Sequence, residues 1–156
     1  MSLQDDKGDL GNNSMTNEFA SFQVSLKVML HWEGKILLLR KADLEDIDLP
    51  GGRMNAQEQM TPFGDVLRRE IAEELGEQIS YTLGKVGFVY RVRQKRYRTY
   101  YLVIVYEGDY LGGEIQLSDE HKRYEWIEKR TYHPNRKDFY AGDEEKYLAF
   151  QKYFEK

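Results

Sequence analysis

Residues 49–76 read LPGGRMNAQEQMTPFGDVLRREIAEELG, and this stretch decides how the rest of the chain is interpreted. Its second half predicts a helix, because an apolar residue stands at every fourth position and forms a stripe along one side. These residues are Phe63, Leu67, Ile71 and Leu75. Thr61 is placed to cap the helix, Pro62 suits its first turn, and Gly76 is suited to end it.

The same helix carries three carboxylates. Glu70, Glu73 and Glu74 stand at positions i, i+3 and i+4, a spacing that places them on one face. Like charges repel there, and the repulsion grows where apolar neighbours exclude water. A divalent cation would relieve it, and Mg²⁺ prefers carboxylate oxygen. The alternative is a solvated acidic surface, which is the usual interpretation of an isolated run of charge.

The residues around these carboxylates resemble the signature of the Nudix hydrolases. That signature is a Gly, five residues, a Glu, seven residues, and then Arg-Glu-apolar-x-Glu-Glu-x-Gly-apolar. In this chain five residues separate Gly52 from Glu58, and ten separate Glu58 from Arg69, so three residues are inserted in the spacer. Glu77 stands at the final apolar position, and residues 49–52 match the family's usual entry into the signature.

The resemblance implies a role for each matching residue. The metal ligands would be the carboxylates of the helix and the carbonyl of Gly51, that is, Glu70, Glu73, Glu74 and Gly51. Arg69 matches the arginine that orients the catalytic carboxylate, and Glu58 matches the acid that supports this arginine. Gly52 and Arg53 are predicted to contact the substrate, since Arg53 directly follows the glycines beside the expected diphosphate. The alternatives are surface charge, a helix salt bridge and a simple turn.

The general base is open between two acids. Some family members use a glutamate of the helix, which points to Glu70, and others use an acid in a loop before a late strand. Glu120 lies in such a loop, six residues ahead of Trp126, and could serve as base or as an additional metal ligand. Its alternative is an exposed loop acid. His121 is interpreted as a surface histidine and is not included in the site.

The flanking sequence predicts strands on both sides of the helix. Residues 22–32 alternate between apolar and polar, as in a half-buried strand, and a turn at Glu33-Gly34 leads to a buried strand at 36–39. Residues 41–48 are predicted to be an acidic loop. Further strands are predicted at 86–92, 97–106 and 124–127, the first two forming a hairpin with a polar tip at 93–96.

A last helix is predicted to begin at Asp143 and to place Tyr147, Phe150 and Phe154 on one face. The predicted order is β-β-α-β-β-β-α. We therefore expect an α+β fold in which a mixed β-sheet is covered by helices, and the resemblance specifies an α/β/α sandwich of the Nudix type.

The composition narrows the classes of protein that remain. The chain has 156 residues, 40% of them hydrophobic, which fits one domain, and we place it at 19–156 after a disordered tail at 1–18 that can include a cloning remnant. There is no cysteine for a disulfide or a thiol nucleophile. A net charge of −4 argues against nucleic acid as a partner, and no apolar run is long enough for a membrane span. We expect a cytoplasmic protein.

Together these features predict Mg²⁺-dependent hydrolysis, with Mn²⁺ as a second candidate cation, of a diphosphate linkage in a nucleotide-like small molecule. The alternative is a catalytically inactive nucleotide-binding or sensor module on the same fold. An isopentenyl diphosphate isomerase is set aside because that chemistry uses a cysteine. The substrate, the number of metal ions and the general base stay open, and an exposed first strand would allow a homodimer.

Overall fold

The computed structural model describes residues 18–44, 46–94 and 98–156. Its strands are β1 (Gln23–Trp32), β2 (Lys35–Lys41), β3 (Ile47–Asp48), β4 (Gly51–Arg53), β5 (Ser80–Gln94), β6 (Thr99–Gly112) and β7 (His121–Glu128). Its helices are α1 (Phe63–Leu75) and α2 (Glu144–Phe154), with short 3₁₀ turns at Ala56–Glu58 and Arg136–Asp138.

The strands form one mixed sheet with the order β3-β2-β1-β6-β5, to which β4 adds by pairing with β1 and β7 by pairing with β2. Strands β1 and β6 run parallel, from the pair Gln23 and Tyr101 to the pair His31 and Asp109, and the other pairs are antiparallel. Strands β1 and β2 therefore each pair with strands from distant parts of the chain.

Each face of the sheet has its own hydrophobic core. On one face, α1 packs residues such as Leu67 and Ile71 against Leu26 and Val28 of β1. On the other face, Phe150 and Tyr153 of α2 pack in a cluster with Met29 of β1. Successive side chains of β1 thus face opposite cores, so β1 is buried on both faces where Met29 lies, rather than half-buried as the alternation predicted. The expected α+β fold, a mixed sheet between helices, is confirmed.

Several element predictions are confirmed and others need correction. Glu33 and Gly34 form the turn between β1 and β2, both with positive φ. Helix α1 begins one residue after Pro62, which is its N-cap, so Thr61 is not the cap. Asp143 is the N-cap of α2, but its side chain makes no capping hydrogen bond.

The short strands β3 and β4 were not predicted, because two or three residues are too few to show a period of two. The supposed acidic loop at 41–48 instead ends in β3, where Asp48 is buried. Strand β1 is not exposed, since it lies between β2 and β6, so the stated reason for a homodimer is wrong. Of the predicted tail at 1–18, residues 1–17 lie outside the described residues, as do the hairpin residues 95–97.

Within the described ranges, no helix is both long and apolar enough to span a bilayer.

Candidate active site

Helix α1 separates the three glutamates by their exposure. Its buried residues Val66, Leu67, Ile71 and Leu75 seat it on the sheet. Glu74 is turned inward and is only 5% exposed, and the side chain of Glu70 is 13% exposed. The side chain of Glu73 is 60% exposed. The three acids are therefore not equivalent, and Glu70 and Glu74 form the inner pair.

Arg69 organises the outer part of this helix. Its guanidinium donates to both carboxylate oxygens of Glu58, at 2.8 Å from Nε and 2.6 Å from Nη2. The same group lies 3.0 Å from Glu70 Oε1 and 3.1 Å from Glu73 Oε1. Glu58 is held in turn by the backbone N–H of Asn55 at 2.8 Å. We call Glu58, Arg69, Glu70 and Glu73 the helix wall.

The glycines at 51 and 52 stand where strand β4 comes close to the backbone of β1 and to the carboxylate of Glu70. Gly51 has φ +129°, and a Cβ there would overlap the carbonyl of Leu26. A Cβ at Gly52 would overlap the carboxylate of Glu70. The backbone N–H of Gly51 donates to Glu74 Oε2 at 2.8 Å. Residues without side chains thus let strand β4 lie directly against the carboxylates.

Burial changes the proton affinity of the inner pair. Desolvation raises the pKa of Glu74 to about 7, although the charge of Lys27 opposes the shift. Desolvation also raises the pKa of Glu70, against the opposing charge of Arg69. A carboxyl group with a raised pKa in a cleft can accept a proton near neutral pH.

A second group of charged residues lies deeper and comes from four separate elements. We call Lys27, Asp48, His121 and Lys146 the buried charge cluster. Asp48 Oδ1 lies 3.1 Å from Lys27 Nζ, and Asp48 Oδ2 lies 2.9 Å from His121 Nε2. Lys146 Nζ donates to the carbonyl of Ile47 at 2.6 Å. Asp48 is the anion that joins the cluster.

The charges of the buried charge cluster affect one another's pKa. Burial alone would raise the pKa of Asp48, but the charge of Lys27 and a hydrogen bond from His121 bring it well below its ordinary value. Burial lowers the pKa of Lys146 to about 8, with Asp48 opposing. For Lys27 the effect of burial is outweighed by Asp48 and Glu74, so its pKa is raised.

One cleft of about 1070 Å³ is lined by both groups. The helix wall contributes Arg69, Glu70 and Glu73, and the buried charge cluster contributes Lys27, Asp48 and Lys146. Glu74 and Glu120 also line it. The cleft can accommodate a drug-sized or nucleotide-sized ligand.

The structure brings most of the predicted site residues to this cleft. Arg53 lies at the cleft, where its Nη1 donates to Gln23 Oε1 at 3.0 Å and to the hydroxyl of Tyr101 at 3.1 Å. The carbonyl of Gly51 accepts from Lys27 Nζ at 3.1 Å. Glu120 is exposed and reaches the cleft because its loop is hydrogen-bonded to the end of α1, from Ser118 N to the carbonyl of Glu74 at 3.1 Å.

Two features of the site were missed or misread in the sequence. Lys27 was treated only as a polar residue of an alternating strand. The interpretation of His121 as a surface residue is wrong, since its side chain is 2% exposed. One ring nitrogen of His121 and carboxylate oxygens of Glu74 and Glu120 lie within 4.8 Å of one another, close enough to share a cation. No local pattern could have indicated this, because the partners come from distant segments.

The sheet between two helices and the acidic cleft at its edge define a hydrolase fold of the Nudix type. A family model described as NUDIX domain matches residues 22–150, and the chain belongs to the Nudix family. The predicted resemblance is confirmed, and the protein is by class a Nudix pyrophosphohydrolase. No curated protein sequence matches this one.

Solved structures share the fold. A MutT protein from Methanosarcina mazei Go1 is 24% identical, with a TM-score of 0.63 over 86% of this chain and 91% of that one. An ADP-ribose pyrophosphatase from Streptococcus suis is 20% identical, with a TM-score of 0.58 over 86% and 91%. A UDP-X diphosphatase is 18% identical, with a TM-score of 0.61 over 86% and 64%.

Proposed function

We propose that this protein hydrolyses the diphosphate linkage of a nucleoside diphosphate derivative, with Mg²⁺ or Mn²⁺ as the cofactor. The observation that carries the proposal is the inner pair, Glu70 and Glu74, desolvated beside the two glycines at the edge of a large cleft. Similar structures titled ADP-ribose pyrophosphatase and UDP-X diphosphatase support this substrate class.

The donor set suits a hard cation. Glu70 and Glu74 present carboxylate oxygens to the cleft, and Glu120 adds a third acid from the opposite loop. When bound, a divalent cation neutralises charge on the diphosphate and makes a bound water more acidic. Glu73 is held by Arg69 and is exposed, so we assign it an additional rather than a main part in binding the cation.

The protein's own residues supply the remaining chemistry. Glu70 or Glu120 accepts the proton of the attacking water, and burial has already raised the pKa of Glu70 towards the range that suits a base. Arg69, fixed by the two hydrogen bonds that it donates to Glu58, holds Glu70 in place. Arg53 provides a guanidinium at the cleft for a phosphate group.

The test combines a substrate screen with a pair of matched variants. Nucleotide sugars, ADP-ribose, nucleoside triphosphates and dinucleoside polyphosphates are incubated with Mg²⁺ or Mn²⁺, and the nucleoside monophosphate released is measured by chromatography. We expect Glu74→Gln to lower kcat at least about 100-fold, because the inner carboxylate loses its charge. Glu73→Gln, the exposed neighbour, should lower it far less.

Both variants should show the wild-type unfolding midpoint, so that loss of activity is not loss of fold. A Glu74→Gln enzyme that turns over a confirmed substrate at the wild-type rate would contradict the assignment. Nucleotide binding by calorimetry with no hydrolysis of any compound would instead favour the sensor module. A cytoplasmic location and a homodimer stay predictions.

A further inference from the structure

His121 has one ring nitrogen engaged and one without a partner. Its Nε2 lies 2.9 Å from Asp48 Oδ2, and Nδ1 is buried with no hydrogen-bond partner. A buried imidazole nitrogen without a partner is unfavourable, and such a group in a native structure calls for an explanation such as a bound ion. The explanation lies in the neighbours of the ring.

The tautomer of His121 follows from its contact with Asp48. Asp48 Oδ1 pairs with Lys27 Nζ at 3.1 Å and accepts the backbone N–H of Leu49, so the carboxylate is ionised and can only accept. Nε2 must therefore carry the proton of this hydrogen bond, and in the neutral ring Nδ1 holds a free lone pair. A second proton on Nδ1 would be buried without an acceptor.

This pairing has the form found around metal-binding histidines. A histidine that binds a metal commonly donates its other ring N–H to a carboxylate, which orients the ring and makes the binding nitrogen more basic. Asp48 is in that position, and it is fixed by Lys27 at 3.1 Å and by its place in β3, opposite Leu39 of β2. His121 is fixed on the other side of β2, opposite Lys41.

Two carboxylates complete the group. A ring nitrogen of His121 and oxygens of Glu74 and Glu120 lie within 4.8 Å of one another. Glu74 accepts the Gly51 N–H through Oε2, which leaves Oε1 for another ligand. Glu120 is exposed and Glu74 and His121 are buried, so the group opens to solvent on one side only.

The charge around the group favours a dication. Glu74, Glu120 and Asp48 can each carry a negative charge, and binding a cation favours the ionised form of Glu74. Lys27, which donates to Asp48 and to the carbonyls of Leu49 and Gly51, supplies a positive charge. Lys146, whose pKa burial lowers to about 8, adds a second positive charge at neutral pH. The oxygens that Lys27 contacts belong to Asp48, Leu49 and Gly51, not to Glu74 or Glu120.

We propose that Nδ1 of His121 and the carboxylates of Glu74 and Glu120 bind a first-row transition-metal dication. An imidazole ligand favours such ions, whereas Mg²⁺ prefers a set made of oxygens alone. The inference deepens the proposed function, since Glu74 and Glu120 belong to the same cleft, and it gives this protein a metal preference that a purely carboxylate site would lack.

The first experiment uses the wild-type protein without substrate. Mn²⁺ is added at less than one equivalent, and electron spin-echo envelope modulation is recorded. We expect modulation from one directly bound ¹⁴N nucleus. The sequence contains only three histidines, so the source can be assigned with variants. If bound Mn²⁺ shows no nitrogen modulation, the inference is overturned. This result needs only the wild-type protein, so it does not depend on whether a variant folds.

The second experiment compares His121→Gln with His133→Gln, a control at an exposed histidine. Co²⁺ and Mg²⁺ binding are measured by calorimetry in the absence of substrate. We expect His121→Gln to abolish the nitrogen modulation and to weaken Co²⁺ binding about tenfold or more, with a smaller change for Mg²⁺. The control should match the wild type in both measurements.

Nitrogen modulation that persists in His121→Gln, or equal losses of Co²⁺ and Mg²⁺ affinity, would overturn the inference. Both measurements read metal binding rather than turnover. The proposed hydrolysis can therefore fail while the metal site is upheld, and hydrolysis with Mg²⁺ can succeed while the imidazole ligand is refuted.

Discussion

The helix wall and the buried charge cluster line one cleft, yet they are built in opposite ways. The helix wall comes from one short segment, residues 58–73, and solvent reaches Arg69 and Glu73, which are 30% and 60% exposed, whereas Glu58 and Glu70 are 15% and 13% exposed. The buried charge cluster comes from four elements, and the side chains of Lys27 and Asp48 are only 12% and 11% exposed. Solvent reaches Arg69, the cation that joins the first group, whereas protein surrounds Asp48, the anion that joins the second.

This difference predicts which group carries function alone and which also carries stability. Exposed ion pairs contribute little to folding, because water solvates the separated partners almost as well. Removing one partner of a buried pair leaves the other charge desolvated and uncompensated, which is strongly destabilising. The three predictions below test this contrast, in order of their expected effect on the free energy of unfolding.

Asp48→Asn should have the largest effect. The change removes the anion shared by Lys27, His121 and the neighbouring Lys146, while its shape is retained. We expect the free energy of unfolding to fall by about 3–5 kcal/mol, measured by urea denaturation at pH 7. Asp65→Asn is the control, because Asp65 forms an exposed pair with Arg68 on α1. If Asp48→Asn were as stable as the wild type, the buried charge cluster would contribute no more to stability than the helix wall.

Lys146→Met should change how stability depends on pH. In the folded protein burial lowers the pKa of Lys146 to about 8, against an ordinary value of 10.5 in the unfolded chain. Between these values the unfolded state binds more protons, so raising the pH favours the folded state. We expect wild-type stability to rise from pH 8 to 10 relative to the variant, by at most about 1.4 kcal/mol per pH unit.

The measurement for Lys146→Met is urea denaturation at several pH values between 7 and 10. Lys152→Met removes an exposed lysine from the same helix and serves as the control. If the free energy of unfolding depends on pH in the same way for the wild type and Lys146→Met, then folding does not lower the pKa of Lys146.

Glu58→Gln should have the smallest effect on stability and a clear effect on activity. The variant loses the charged partner of Arg69, which contacts Glu70. We expect kcat on a confirmed substrate to fall about 10- to 100-fold, as when a supporting partner of a metal ligand is removed, with the urea midpoint unchanged. Glu77→Gln, an exposed glutamate at the end of the same motif, should match the wild type in both measurements. If the unfolding midpoint of Glu58→Gln fell at a clearly lower urea concentration than that of the wild type, the helix wall would also contribute to stability.

Much of the fold and half of the cleft could be predicted from local patterns. The alternation in β1 and the four-residue spacing in α1 indicate most of the side chains that face a core, although Phe22, Trp32 and Phe63 at the ends of these patterns are exposed. The pairing of Arg69 with Glu58 could be inferred from the family resemblance, even with three inserted residues between them. Residues 59–62 connect the 3₁₀ turn ending at Glu58 to the start of α1, and we expect most of the insertion in this loop, where a longer connection leaves both ends in place.

Other features could not be predicted because no local signal carries them. The spacing of Glu73 and Glu74 puts both on one side of α1, but which of the two is desolvated depends on where β4 lies. The burial of His121 depends on pairing between β2 and β7, and its partner Asp48 is 73 positions away in the sequence. A sequence pattern does not distinguish such a residue from a surface histidine in a loop.

By itself the sequence determined the helix with its row of acids, the glycine entry and the family, because helical spacing and tight turns relate residues only a few positions apart. The tertiary structure alone decided which glutamate is buried, where Lys27 places its charge and that His121 meets Glu74 and Glu120. These outcomes depend on strands and loops from across the chain packing together, and desolvation acts only once that packing has excluded water.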